Sequence, residues 1–266
     1  MSYRSARSEA ATIESPPDEL RLEGLVKAYG HVVALKGVSL VFQPGLTGIV
    51  GDNGAGKTTL LKILSGVETP DAGTVRLNDD VVSLSTPAAA RGAGIESLYQ
   101  DLALADTLDV AGNIFLGREL TQSVLGLKVL RRRAMVLEAQ RTIGRLNIDI
   151  PDVRVAVRAL SGGQRQAVAL ARAVHFDAPV VLMDEPTAAL GPRETAAVID
   201  IVRQLVGAGK LVIMVTHDIP RVVELAQKIV VMRAGRVAFE VAAAKTSPDE
   251  LLAFMVGSKV AAASAP

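Results

Sequence analysis

Eight residues, GDNGAGKT from Gly51 to Thr58, restrict the fold of this chain more than any other stretch. A short apolar run, GLTGIV, precedes them, and the residues from Thr58 to Ser65 carry a helical pattern, so the order is strand, glycine loop, helix. That order belongs to a buried parallel strand feeding a crossover helix, and so to an α/β core. Across Gly51, Asp52, Asn53, Gly54, Ala55 and Gly56 the backbone can close its N–H groups around phosphate oxygens. Lys57 brings positive charge to the terminal phosphates, and the Thr58 hydroxyl is a ligand for Mg²⁺. Thr59 falls in the same first helical turn and is grouped with these binding residues. A plain glycine turn before a helix would need neither the full spacing nor the lysine.

Two more apolar runs repeat the theme. PVVLMDEP and KLVIMVTHD are near-continuous hydrophobic strands, the pattern of strands buried on both faces. In open α/β sheets ligands bind outside the carboxyl ends of such strands. Asp184 ends the first run and can reach a metal or its water. Glu185 follows and is placed to polarise an attacking water. Two acids at a strand end can also simply cap the next turn. His217 ends the second run, where it can contact a γ-phosphate and sense its loss, although a lone histidine at a strand end is often structural. Gln100, after IESLY, offers a neutral amide to Mg²⁺ or water, or is a solvated loop glutamine. Tyr29, in KAYG, offers a ring face to adenine, or is an ordinary surface tyrosine. Arg131, Arg132 and Arg133 read as a solvated helix start. His31 lies in a turn and His175 near a helix end, and neither carries an assigned role.

A second glycine-bearing helix start lies about a hundred residues on. LSGGQ, Leu160 to Gln164, opens a run of small and aliphatic residues at helical spacing. Ser161, Gly162, Gly163 and Gln164 leave bare amides at a helix N-terminus, a second site for an anion. One nucleotide-binding chain thus holds two phosphate-reading helix starts. Composition narrows the partners. The formal net charge of +1 gives no bulk electrostatic case for nucleic acid or anionic membrane, and the absence of Trp weakens any base-stacking platform. With no cysteine there is no disulfide framework and no thiolate metal site.

Along the chain, residues 1–18 are polar and read as a mobile tail without the apolar segment of a secretory signal. Residues 19–245 read as a single domain. It opens with the strand patterns LRLEGLVKAYG and VVALKGVSLVF and a hairpin turning at Asn78 to Asp80. Leu108 to Leu146 is mostly helical in pattern, giving a helical insert at about 101–160. Arg193 to Leu205 is a crossover helix, and KIVVMRAGRVAFEV is a last hairpin turning at Ala234 and Gly235. Residues 246–266 hold a short helix and an Ala/Ser-rich tail. No run is long and apolar enough to span a membrane, so any membrane role is expected through a partner.

Taken in order, GDNGAGKT, LSGGQ, LMDEP and THD resemble the ATP-binding cassette family, the ATPase subunits of ABC transporters, from Leu20 to about Val241. The likeness implies a P-loop NTPase of ABC cassette type: a mixed-sheet core with an N-terminal antiparallel β subdomain and an inserted helical subdomain. It implies that two copies meet head to tail, with ATP between the P-loop of one and the LSGGQ of the other. Ser161, Gly162 and Gly163 would then hold the γ-phosphate bound at the partner copy's P-loop lysine. It further implies Glu185 as catalytic base, His217 as switch, Tyr29 as adenine platform, and Thr58, Gln100 and Asp184 as the Mg²⁺ side of the site. YQDLALADTLDVAGNIFLGRE and EPTAALG look like the ATPases of ribose- and fructose-type monosaccharide importers. Partners so implied are a second ATPase copy, transmembrane permease subunits and, indirectly, a periplasmic or extracellular solute-binding protein, at the cytoplasmic face of the membrane and without nucleic acid. The likeness departs at Gly191, where the family commonly has Asp. Open alternatives are a soluble cassette ATPase without transport, an importer ATPase for another small solute, and a module that holds ATP without turnover.

Overall fold

The structure, a computed structural model, describes residues 17–98, 102–146, 148–188 and 190–256. Most of the expected tail 1–18, and Gln100, lie outside these residues. Strands β1 (Leu20–Tyr29) and β2 (Val32–Phe42) form an antiparallel pair, and β3 (Gly45–Val50) leads through the glycine loop into helix α1 (Lys57–Leu64). Then come β4 (Ala72–Leu77), β5 (Asp80–Val81), α2 (Pro87–Gly92) and β6 (Ile95–Leu98). The insert holds α3 (Val110–Ile114), β7 (Thr121–Val124), β8 (Leu127–Leu130) and α4 (Arg132–Arg145). The chain returns through α5 (Gly162–His175), β9 (Val180–Asp184), α6 (Pro192–Gly207), β10 (Leu211–Val215) and α7 (Ile219–Leu225). It finishes with β11 (Lys228–Arg233), β12 (Arg236–Ala242) and α8 (Pro248–Val256).

The central sheet runs β12-β11-β3-β10-β9-β6, parallel throughout except for β12, which returns antiparallel at one edge. A second, antiparallel sheet runs β2-β1-β4-β5. The apolar runs are continuous because the central strands are covered twice. Val181, Met183, Val212 and Met214 face a core shared with α3, α4, α5 and α6. Their neighbours Val180, Leu182, Leu211 and Ile213 face a core shared with α1, β1 and β2. The two-residue alternation of a strand sends successive side chains into opposite cores, and water-shy residues are required on both. The parallel register brings the carboxyl ends of β3, β10 and β9 side by side, with Val215 opposite both Ile49 and Asp184.

The insert corrects the reading of 108–146 as mostly helical. Between α3 and α4 stands a β-hairpin, turning at Leu125 and Gly126 with φ of 50° and 82°. Such a turn needs two left-handed residues, a demand Asn-Gly advertises and Leu-Gly does not. The Arg131–Arg133 run is the exposed start of α4, as its pattern implies. Arg132 donates to the Asp109 carboxylate at 2.7 Å, and the other oxygen of Asp109 caps α3 by accepting from the Gly112 N–H. His175 is a packing residue, edge-on to Phe115 and Phe176, and its burial holds its pKa below the ordinary value.

Asn113 organises the base of the insert. Its side chain is wholly buried; Oδ1 accepts from the Ala105 N–H at 2.7 Å and Nδ2 donates to the Ala105 and Asp109 carbonyls at 3.0 Å. Asn113→Leu fills the space but leaves these backbone groups without partners. Urea unfolding of that variant is expected to lose about 3 kcal/mol; an unchanged midpoint would contradict this role.

Candidate functional site

The glycine loop is pressed against two other strands. A Cβ on Gly51 would lie 2.2 Å from the Met232 carbonyl oxygen, and one on Gly56 would lie 2.7 Å from that of Ala34. Gly56 also sits at φ 103°, and no side chain caps α1, so the amides opening that helix carry no capping partner. The loop is pinned from outside by the Gly235 N–H donating to the Ala55 carbonyl at 3.0 Å. Lys57 folds back over it, donating from Nζ to the carbonyls of Gly51 at 2.6 Å and Asp52 at 2.9 Å. Burial pulls the Lys57 pKa down, against the opposing pull of Glu185, Asp52 and Asp184. A half-buried ammonium over a glycine loop that opens a helix with no side-chain cap is a receptor for a polyanion.

The other strand ends face this loop. Burial, and then the adjacent Glu185 charge, raise the Asp184 pKa, while Lys57 and Lys62 pull it back. A carboxylate so strained gains by meeting a cation. Glu185 sits at φ 48°, a conformation bulky residues avoid, held by its N–H on the Val215 carbonyl at 2.9 Å. The turn that follows β9 thereby aims its side chain at β10, and Glu185 Oε1 lies 3.1 Å from His217 Nδ1. His217 is otherwise exposed, free to meet something entering from solvent.

One cleft of about 750 Å³ gathers Tyr29, Gly51, Asn53, Gly54, Ala55, Gly56, Lys57, Thr58, Thr59, Asp184, Glu185 and His217. Asp52 contributes its carbonyl through Lys57. At the far end of the cleft Tyr29, Val32 and Val33 are exposed apolar surface beside the cradle, suited to a flat ring. Among the described residues no group of three or more His, Cys, Asp or Glu could hold a metal alone. The Thr58 hydroxyl and the Asp184 carboxylate suit Mg²⁺, which takes one or two protein oxygens and completes its shell with phosphate and water.

The structure does not bring the second glycine motif to this cleft. Ser161, Gly163 and Gln164 line a separate hollow of about 300 Å³ with Asp149, Arg193 and Glu194. Two of its residues have an internal purpose. Ser161 Oγ accepts from the Gln164 N–H, and Gln164 Oε1 accepts from the Ser161 N–H, a reciprocal cap on α5. Gly163 is demanded by packing, since a Cβ there would lie 2.0 Å from Glu194 Cγ and 2.8 Å from Glu194 Cβ. Gly162 is different: nothing lies within 4 Å of where its Cβ would stand. A helix start without a Cβ and open to solvent lets a molecule from outside the chain approach its backbone closely.

Glu194 went unnoticed in the sequence, where it reads as an ordinary acid in the first turn of α6. It underlies Gly163 with its methylenes. Its Oε2 stands 2.6 Å from where a Cβ on Gly191 would be, so one side chain spans both glycines. No sequence spacing announces such a contact, because α5 and α6 meet only in the folded chain.

A family model described as ABC transporter matches residues 35–188. The fructose import ATP-binding protein FrcA of Rhizobium meliloti is 40% identical, covering 90% of this chain and 94% of that one. The xylose/arabinose import ATP-binding protein XylG of Sulfolobus acidocaldarius is 42% identical, with 90% and 94% covered. The ribose import ATP-binding protein RbsA 1 of Rhizobium meliloti (strain 1021) is 40% identical over 91% of this chain but only 47% of its own length. Among solved structures, a nucleotide-free ATP-binding cassette from an ABC transporter superposes with a TM-score of 0.75 at 26% identity, covering 91% of this chain and 97% of that one. A dimeric post-hydrolysis cassette bound to ADP and Pi gives 0.70 at 26%, covering 84% and 98%. The chain belongs to the ATP-binding cassette family of ABC transporters.

Proposed function

We propose that this chain is the ATP-hydrolysing subunit of a membrane importer for a monosaccharide, working as two copies joined head to tail. The observation that carries the pairing is the separation within one chain of the phosphate cradle from the Gly162 surface, each lacking what the other offers. The named relatives that match over nearly their whole length import fructose or xylose and arabinose, which supports a sugar as cargo. Permease subunits in the membrane and a solute-binding protein outside would complete the machine. Among the described residues no helix is long and apolar enough to cross a membrane, and permease subunits would hold the chain at the cytoplasmic face.

In the paired state the amides from Gly51 to Gly56 and the Lys57 ammonium bind the triphosphate of ATP. Tyr29 supports the adenine ring. Thr58 and Asp184, with Gln100, would hold Mg²⁺, which would supply positive charge to offset that of the phosphates. Glu185 accepts the proton of a water attacking the γ-phosphorus as the bond to the β-phosphate oxygen breaks, releasing ADP and phosphate. His217, hydrogen-bonded to Glu185, holds that carboxylate and contacts the γ-phosphate. Ser161, Gly162 and Gly163 close the site from the second copy. Two triphosphates bound to two copies bring charge that only both surfaces together neutralise, so ATP favours the closed pair.

The test is reconstitution in vesicles with the cognate permease and solute-binding protein. A panel of monosaccharides should include at least one that stimulates ATP hydrolysis several-fold. Stimulation by a non-sugar solute alone would overturn the cargo, and ATPase activity indifferent to the permease would overturn transport.

A further inference from the structure

The hairpin β7–β8 takes no part in the site, and its chemistry is unusual for a surface. Every residue from Thr121 to Leu130 is exposed, and Leu125, at the apex, is 99% exposed. The register pairs Val124 with Leu127 and Gln122 with Val129. Paired residues share a face of the ribbon, so Val124, Leu127 and Val129 form one apolar face, capped by Leu125. Gln122 shares that face near its base, and the other face carries Ser123 and Lys128 with Thr121 and Leu130 at the base of the hairpin. Apolar side chains exposed in a run stabilise nothing in the free chain and invite aggregation, so their presence marks a binding surface.

Charge decides what binds. Residues 121–133 contain Lys128, Arg131, Arg132 and Arg133 and no acid, although the whole chain is nearly neutral. Arg132 is held by Asp109, while Lys128, Arg131 and Arg133 have no ion-pair partner among the described residues. A stable protein interface needs about 800 Å² from each partner, more than four side chains on a narrow ribbon supply. A fluid bilayer needs no shape match. It accepts an apolar tip below the headgroups and draws flanking cations to anionic lipid. We propose that the β7–β8 hairpin is a membrane-interface element, inserting Val124, Leu125, Leu127 and Val129 into an anionic lipid surface with Lys128, Arg131 and Arg133 at the headgroups. This element acts in addition to any permease contact, and it stands or falls independently of which solute is imported.

Flotation of the purified chain with phosphatidylcholine vesicles, with and without phosphatidylglycerol, tests it directly. The chain should float with the anionic vesicles and be released by high salt. Leu125→Ser with Leu127→Ser should weaken binding by roughly tenfold or more, and Lys128→Gln or Arg133→Gln by about fivefold each. The ATPase rate and melting temperature of these variants should match the parent, since no residue of the hairpin lines the cleft and its side chains are already exposed. Equal binding to both vesicle types, or full binding by the leucine variant, would overturn the proposal. So would an effect of the leucine variant confined to permease capture in lipid-free detergent, which would assign the hairpin to a protein partner. The sugar-stimulation assay does not enter these outcomes, so failure here leaves the import reading intact, and the reverse.

Discussion

Glu185→Gln keeps ATP in the cleft and nearly stops its hydrolysis. Glutamine matches the carboxylate in shape, so the left-handed backbone at residue 185 and its N–H bond to Val215 are undisturbed. On the proposed mechanism the variant loses the acceptor for the proton of the attacking water, a contribution of about 10²- to 10⁴-fold. Binding should strengthen, because one negative charge leaves the cleft that receives the triphosphate. The same change removes the neighbour that pushes the Asp184 pKa upward, which leaves Asp184 more readily ionised for a cation. The variant therefore accumulates the closed pair with Mg-ATP. Single-turnover hydrolysis with light scattering on the same sample reads both effects. Near-parental turnover would move the base elsewhere, and a variant that stays monomeric with Mg-ATP would count against the paired state.

Gly163→Ala damages a site that the mutated chain does not itself contain. The new Cβ would run into Glu194 at both Cβ and Cγ, close to the α6 backbone where rotation of the side chain gives little relief. Either α5 shifts or Glu194 is expelled, and the amides after Ser161 leave the position in which they meet the γ-phosphate. Losing one well-aimed donor costs about 10²- to 10³-fold in turnover. Nucleotide binding to the variant's own P-loop should be unchanged, since Gly163 is absent from the cleft around Lys57. Glu194→Ala in the same chain clears the obstruction and should return part of the activity. ATPase rates set beside binding of a fluorescent nucleotide separate the outcomes. If Gly163→Ala loses nucleotide binding instead, the glycine serves its own cleft; if Glu194→Ala restores nothing, the clash is not the cause.

The parts legible in sequence are those whose pattern is set by a local physical demand. PVVLMD and LVIMV were legible as buried strands because they are short and rich in β-branched residues, and a strand sends such consecutive side chains into two cores. The loop from Gly51 to Thr58 was legible because Gly51 and Gly56 answer a close backbone approach, Gly54 answers a left-handed φ of 76°, and the lysine answers a charge. The cleft follows, because a parallel sheet must bring Asp184, Glu185 and His217 beside that loop. The insert was less legible. Leu125 and Gly126 make a tight turn without the usual residues, and the exposed strands beside it lack the half-buried alternation that betrays a hairpin. Glu194 was hidden for another reason: its partners Gly163 and Gly191 are glycines, and a contact with a missing side chain leaves no complementary residue to read. The absence of Asp at 191 acquires a physical setting, since the Glu194 carboxylate already reaches that space.

The claim of a site shared between two copies is tested most directly by mixing two disabled chains. Lys57→Ala removes the ammonium of the phosphate cradle but keeps the signature surface; Gly163→Ala does the reverse. Each alone should be nearly silent. In a mixed pair, the intact cradle of the Gly163→Ala chain faces the intact signature of the Lys57→Ala chain, and ATPase activity should reappear on mixing and vanish on dilution. A mixture as silent as its components would contradict a site built from both chains.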